Sequence, residues 1–149
     1  MKIAGPIVVV DDDKDDQELF REAFVSMNIE DSLIRSFDSC IDALHYLETT
    51  HERPFIILCD LNLPAMNGLE FRQKINENEC LRKKSIPFVF LSTSAHPRHI
   101  TKAFDLTVQG FFTKPTAFNA IQKTLQLIFE YWTECIHPSS LNGGWVHRF

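Results

Sequence analysis

Four short apolar runs punctuate the chain, and each delivers groups that carry chemistry. Ile7-Val8-Val9-Val10 runs into Asp11-Asp12-Asp13, and Phe55-Ile56-Ile57-Leu58-Cys59 runs into Asp60. Phe88-Val89-Phe90-Leu91 ends in Ser92-Thr93-Ser94, and Gly110-Phe111-Phe112-Thr113 ends in Lys114-Pro115. Unbroken apolar runs of this length mark strands buried on both faces, as in a parallel sheet covered by helices. A further short strand is predicted over Leu33 to Phe37.

Between the strands the period changes to that of a helix. Asp13 to Met27 carries an apolar face of Leu19, Phe20, Ala23, Phe24 and Met27, with acids crowding its first turn. Ile41 to Glu48 follows an N-cap at Asp38-Ser39 and is expected to turn Ile41, Leu44, His45 and Leu47 inward. Leu69 to Asn78 is the third predicted helix. The basic stretch 79–87 reads as a solvated loop. Pro97 opens a fourth helix running to about Leu106. The fifth, about Thr116 to Cys135, shows a stripe of Phe118, Ile121, Leu125, Ile128 and Trp132. Five strands alternating with five helices predict a doubly wound α/β sheet with right-handed crossovers.

Composition narrows the class without changing this picture. The 149 residues fit one domain, and 44% hydrophobic with 23% charged residues is ordinary for a globular protein. A net charge of −5 does not suggest nucleic acid as a partner. No apolar stretch approaches the roughly 20 residues that span a bilayer, and the start of the chain lacks the apolar core of a signal peptide. The four cysteines, Cys40, Cys59, Cys80 and Cys135, show no metal or redox spacing and read as reduced residues of a cytoplasmic protein. The segment 1–136 is expected to be the domain. From Pro138 onward a loose tail is expected, with Trp145 to Phe149 frayed and no output domain following.

Chemistry collects where the strands end. In an open α/β sheet, ligands bind beyond the carboxyl ends of the strands. Three carboxylates, Asp11, Asp12 and Asp60, would meet there and need a cation to remain ionised side by side. Hard oxygen donors with few protein contacts suit Mg²⁺, which keeps its waters and pairs with phosphate oxygens. An aspartate is also a nucleophile able to form an aspartyl phosphate. Lys114 offers a positive charge to such a phosphate, and Ser92 a hydroxyl.

These motifs, in this order, resemble the response regulator receiver domain of two-component signalling. The resemblance runs from Ile7 to about Cys135 and rests on Val9-Val10-Asp11-Asp12, Asp60-Leu61-Asn62-Leu63-Pro64 with Asn67-Gly68, Leu91-Ser92-Thr93-Ser94, and Lys114-Pro115. It implies a flavodoxin-like sheet of order 2-1-3-4-5 and a stand-alone receiver phosphorylated on Asp60 by a histidine kinase or phosphotransfer protein. Asp12, Asp60 and the backbone carbonyl of Asn62 are then direct Mg²⁺ ligands, with Asp11 acting through water. Ser92 and Phe111 are switch residues, Lys114 pairs with the phosphate, and the Lys114–Pro115 bond is expected to be cis. Readout would be to a downstream protein target, with a possible homodimer through the fourth helix, fifth strand and fifth helix. Partner classes expected to be absent are nucleic acid and membrane.

The chain departs from the family's commoner pattern in three places. Phe111 stands where Tyr is frequent, Ser92 where Thr is frequent, and Asp13 adds a third acid. Competing readings also leave marks in the sequence. Asp11, Asp13, Asp15 and Glu22 fit four positions of a calcium loop, but Asp16 replaces its glycine and no helix precedes it. A phosphatase with an Asp nucleophile would want an acid two residues after Asp60, where Asn62 stands, so an independent enzyme is not expected. A binding module that never takes up phosphate is the alternative reading.

Overall fold

The computed structural model describes residues 1–141. Five parallel strands form one sheet in the order β2-β1-β3-β4-β5. They are β1 (Ile7–Val10), β2 (Ile34–Phe37), β3 (Ile56–Cys59), β4 (Phe88–Ser92) and β5 (Gly110–Thr113). The helices are α1 (Lys14–Ser26), α2 (Cys40–Thr49), α3 (Gly68–Glu77), α4 (Glu79–Lys84), α5 (Pro97–Asp105) and α6 (Phe118–Glu134). The fold class is the one the strand–helix alternation predicts, and the strand order is the one the family resemblance implies.

The central strands are buried on both faces, so successive residues serve opposite cores. Ile7, Val9, Ile56, Leu58, Val89 and Leu91 face α1 and α6, where Phe24 and Phe129 pack at 5.4 Å between ring centroids. Val8, Val10, Ile57, Cys59, Phe88 and Phe90 face the other core, built with α2, α3 and α5. On α6, Ile121, Leu125, Ile128 and also Phe129 are buried, while Phe118 and Trp132 are partly so.

Three local expectations are corrected. First, Ile41 and His45 point outward, and Ile41 is 52% exposed. Ser39 caps α2 by accepting from the Asp42 N–H, so the helix starts at Cys40 and its buried row is Cys40, Ala43 and Leu47. Second, the basic stretch after Asn78 is not all loop but holds a sixth helix, α4. Asn78 caps it by accepting from the Leu81 N–H at 3.1 Å, Leu81 is buried, and Ser85 ends it in the left-handed region (φ 54°). One apolar anchor in six residues is too little periodicity to show in the sequence. Third, the segment after α6 is tied down as far as Ser140. The Ser139 N–H donates to His137 Nδ1, which leaves Nε2–H to donate to the Ser85 carbonyl at 2.6 Å. Trp145 to Phe149, expected to fray, lie outside the described residues.

Candidate functional site

Strand register assembles the site. Val10 pairs with Cys59, so Asp11 and Asp60 leave β1 and β3 side by side. Ser92 pairs with Thr113, so Lys114 follows directly beside the end of β4. Backbone bonds hold the strand ends together: the Asp60 N–H donates to Val10 O at 2.9 Å and the Lys114 N–H to Ser92 O at 2.8 Å. One carboxylate oxygen from each of Asp11, Asp12 and Asp60 lies within 4.8 Å of the other two. Asp11 is buried, Asp60 half-buried and Asp12 exposed, so the cluster opens from the sheet to solvent.

Lys114 is the counter-cation. Its Nζ donates to Asp11 Oδ2 at 2.7 Å, Asp16 Oδ2 at 2.9 Å and Asp60 Oδ2 at 3.2 Å, with only 6% of its side chain exposed. Burial by itself lowers an ammonium's pKa. Here the hydrogen bonds to Asp11 and Asp16, with the charges of Asp11 and Asp60, outweigh it and raise that of Lys114. Burial pushes the Asp11 carboxyl up, opposed by hydrogen bonds from Lys114 and the Asp13 N–H. The second oxygen of Asp60 accepts the Leu61 N–H at 2.7 Å, so the carboxylate is held at both ends.

Asp16 was not legible as a member of this group. It sits in the first turn of α1, and the acids crowded there read simply as favourable to the helix dipole. The chain reversal after β1 aims that turn at the strand ends, and only the fold shows which acid reaches Lys114. Asp13 serves the helix itself, capping α1 by accepting from the Asp15 and Asp16 N–H groups. Glu22 lies exposed on that helix, so these acids form no calcium loop.

The remaining residues fall as follows. Ser92 is fully buried at the end of β4, and its hydroxyl accepts the Ser94 N–H at 3.1 Å. Phe111 on β5 is partly buried, with its ring 5.6 Å from that of Phe90. Asn62 is exposed, two residues beyond Asp60. Cys59 packs into the α2–α3–α5 core, where burial pushes its thiol up, consistent with its having no part in the chemistry. The Lys114–Pro115 bond is trans, contrary to expectation, since no cis peptide occurs among the described residues. Trans is the preferred X–Pro isomer by about 0.5–1 kcal/mol, and Lys114 reaches all three carboxylates with it.

Gly68 supports the site from behind. As the first residue of α3 it lies so close to the loop after β3 that a Cβ there would sit 2.5 Å from the Asp60 carbonyl oxygen and 2.5 Å from the Phe90 ring. The preceding Asn67 forms a capping box with Glu70, fixing where α3 begins.

Three convergent carboxylates with hard oxygen donors fit a divalent metal cation. No described helix is long and apolar enough to cross a membrane.

A sequence model of the response regulator receiver domain matches residues 7–126. Response regulator Rcp1 of Synechocystis is 32% identical over 135 residues, covering 87% of this chain and 90% of its own. Among solved structures, the phosphorylated cyanobacterial phytochrome response regulator RcpA superposes with a TM-score of 0.78 at 28% identity, over 91% of this chain and 100% of that one. The Mn²⁺-bound form of Rcp1 gives 0.74 at 28% identity, over 89% of this chain and 97% of that one.

Proposed function

We propose that this chain, which belongs to the response regulator receiver domain family, takes a phosphoryl group on Asp60 from a histidine kinase or a phosphotransfer protein. The observation that carries this reading is the placement of Asp60: a half-buried carboxylate at a strand end, held by Leu61 and Lys114 and flanked by two further acids.

In the transfer, an Asp60 carboxylate oxygen forms a bond to phosphorus as the donor's phosphorus–nitrogen bond breaks. The electron pair stays on the donor imidazole, which takes a proton from water. Asp12, Asp60 and the Asn62 carbonyl would hold Mg²⁺ directly, with Asp11 reached through water. When bound, the ion neutralises charge between the carboxylates and the incoming phosphoryl oxygens. Lys114 is already in place on Asp60 and would follow the new negative charge. Ser92 would exchange the Ser94 N–H for a phosphoryl oxygen, drawing the loop after β4 inward. Phe111 lines the space that this movement changes.

Readout through protein contacts follows from where these groups lie. α5 and α6 flank the edge strand β5 and expose Phe104, Leu127 and Tyr131. This face is the proposed contact for a downstream target or a second copy, and the proposed setting is the cytoplasm.

The test is intact mass after incubation with Mg²⁺ and a small acyl phosphate, beside Asp60→Asn. One added phosphoryl group, about 80 Da as an aspartate nucleophile requires, is expected only with Mg²⁺ and only in the parent chain. Absence of the adduct, with no change on adding Mg²⁺ and beryllofluoride, would point to a binding module that does not take up phosphate.

A further inference from the structure

We propose a second ligand site, at the end of the sheet opposite Asp60: a cleft beneath α3, α4 and the end of α6 that takes a small organic anion on Arg72 and Arg82. The ligand is a carboxylate or phosphate monoester with an apolar body.

The starting point is a buried cation without an acid. Arg72 is 7% exposed, yet among the described residues no carboxylate lies within salt-bridge distance of it. Its guanidinium donates from Nε to Leu106 O at 3.0 Å and from Nη2 to Thr107 O at 2.9 Å. The Phe88 ring lies 5.3 Å from its central carbon. Nη1 has no acceptor among the described residues. Burial holds the Arg72 pKa down, at about 10, with nothing negative to offset it. A desolvated charge of this kind is costly unless an anion accompanies it.

Arg72 lines a cleft of about 620 Å³. All 20 acidic residues of the chain are among the described residues, and none of them lines this space. Glu79, the acid one turn before Arg82, is paired with Lys83 at 2.8 Å. Most other polar groups at the cleft are already engaged. Asn76 donates to Leu106 O, Gln109 bonds the Phe88 N–H and Thr107 O, and both His137 nitrogens are used. Arg72 Nη1, the exposed Arg82 and the Trp132 indole N–H are therefore the side-chain donors left for a ligand, and a guanidinium pair selects an oxyanion. Ile75, Leu81, Ile86, Trp132 and Ile136 supply an apolar wall that an inorganic ion would leave unused.

The proposal is tested by two-dimensional amide NMR of the full chain at low salt without Mg²⁺, titrated with phenyl phosphate, benzoate, benzyl alcohol and inorganic phosphate. Saturable shifts at Gln109, Ile136, His137 and the Arg72 Nε–H are expected with the first two only. Arg82→Ala should raise the dissociation constant about tenfold, the worth of one charge-assisted hydrogen bond, and avoids the risk that a change at buried Arg72 unfolds the protein. Asp60→Asn should leave binding unchanged. Benzyl alcohol binding as well as the anions, inorganic phosphate binding as well as phenyl phosphate, unaltered affinity in Arg82→Ala, or shifts confined to the Asp60 end would each overturn it.

Discussion

Lys114 shows how much of the site rests on one side chain. Three carboxylates share its ammonium, and two of them, Asp11 and Asp60, belong to the cluster suited to a cation. Replacing it by Met removes the charge at similar length and leaves those acids buried against one another. The expected cost is about 3–5 kcal/mol, that of breaking a buried ion pair. Because a divalent ion can then substitute for the lost charge, Mg²⁺ should raise the melting temperature of Lys114→Met more than that of the parent. Equal Mg²⁺ responses in thermal unfolding would contradict the shared-cation account.

A second residue-scale prediction concerns the far edge of the sheet. Tyr46 donates to Glu52 Oε1 at 2.7 Å, and Glu52 also receives Arg35. Burial, with the hydrogen bond to Glu52, pushes the Tyr46 hydroxyl up to about 12. A raised folded pKa contributes stability that is present below the unfolded value of 10.0 and lost as pH rises through about 12. A pH titration of tyrosinate absorbance should therefore show a late step, and Tyr46→Phe should remove it.

At the scale of elements, caps and one glycine decide where the helices begin, and so where the acids stand. Asp13→Ala takes away the acceptor of the Asp15 and Asp16 N–H groups. About 1 kcal/mol is expected, or roughly 2–4 °C in melting temperature for a domain of this size. Gly68→Ala acts differently, by pressing a methyl group against the Asp60 carbonyl and Phe90. Overpacking of this kind costs about 1–3 kcal/mol, and it should slow phosphorylation as well as lower the melting temperature. Full phosphorylation rate in Gly68→Ala would show that the loop after β3 tolerates displacement.

What could be read in advance also divides at this scale. Fully buried strands announce themselves, because Ile7 to Val10 and Ile56 to Cys59 have no polar residue to confuse the pattern. Their terminal acids could then be placed by the rule for parallel sheets. α4 could not be read, since its single buried residue carries no period. The outward turn of Ile41 could not either, as a one-residue change in helix start rotates the whole face by about 100°. Asp16 depended on an angle between strand and helix that no local pattern encodes, and the trans bond before Pro115 on an isomer that residue identity leaves open.

Over the whole molecule the two ends of the sheet differ in sign. The carboxyl ends gather Asp11, Asp12, Asp16 and Asp60 around one lysine, while the cleft at the amino ends carries Arg72 and Arg82 with no acid among the described residues that line it. Between them lie α5 and β5, which connect to both: Arg72 holds the carbonyls at the end of α5, and β5 leads from Gln109 to Lys114. The proposed phosphorylation and the proposed anion binding thus involve separate groups of residues, and Arg82→Ala should accept phosphate on Asp60 at the parent rate.

The central claim is that Asp60, among the clustered acids, forms the phosphate bond. Borohydride reduces an acyl phosphate to an alcohol, turning the modified aspartate into homoserine. Peptide mass spectrometry after phosphorylation and reduction should find homoserine at position 60 alone. Homoserine at position 11, 12 or 16, with Asp60 intact, would contradict the account.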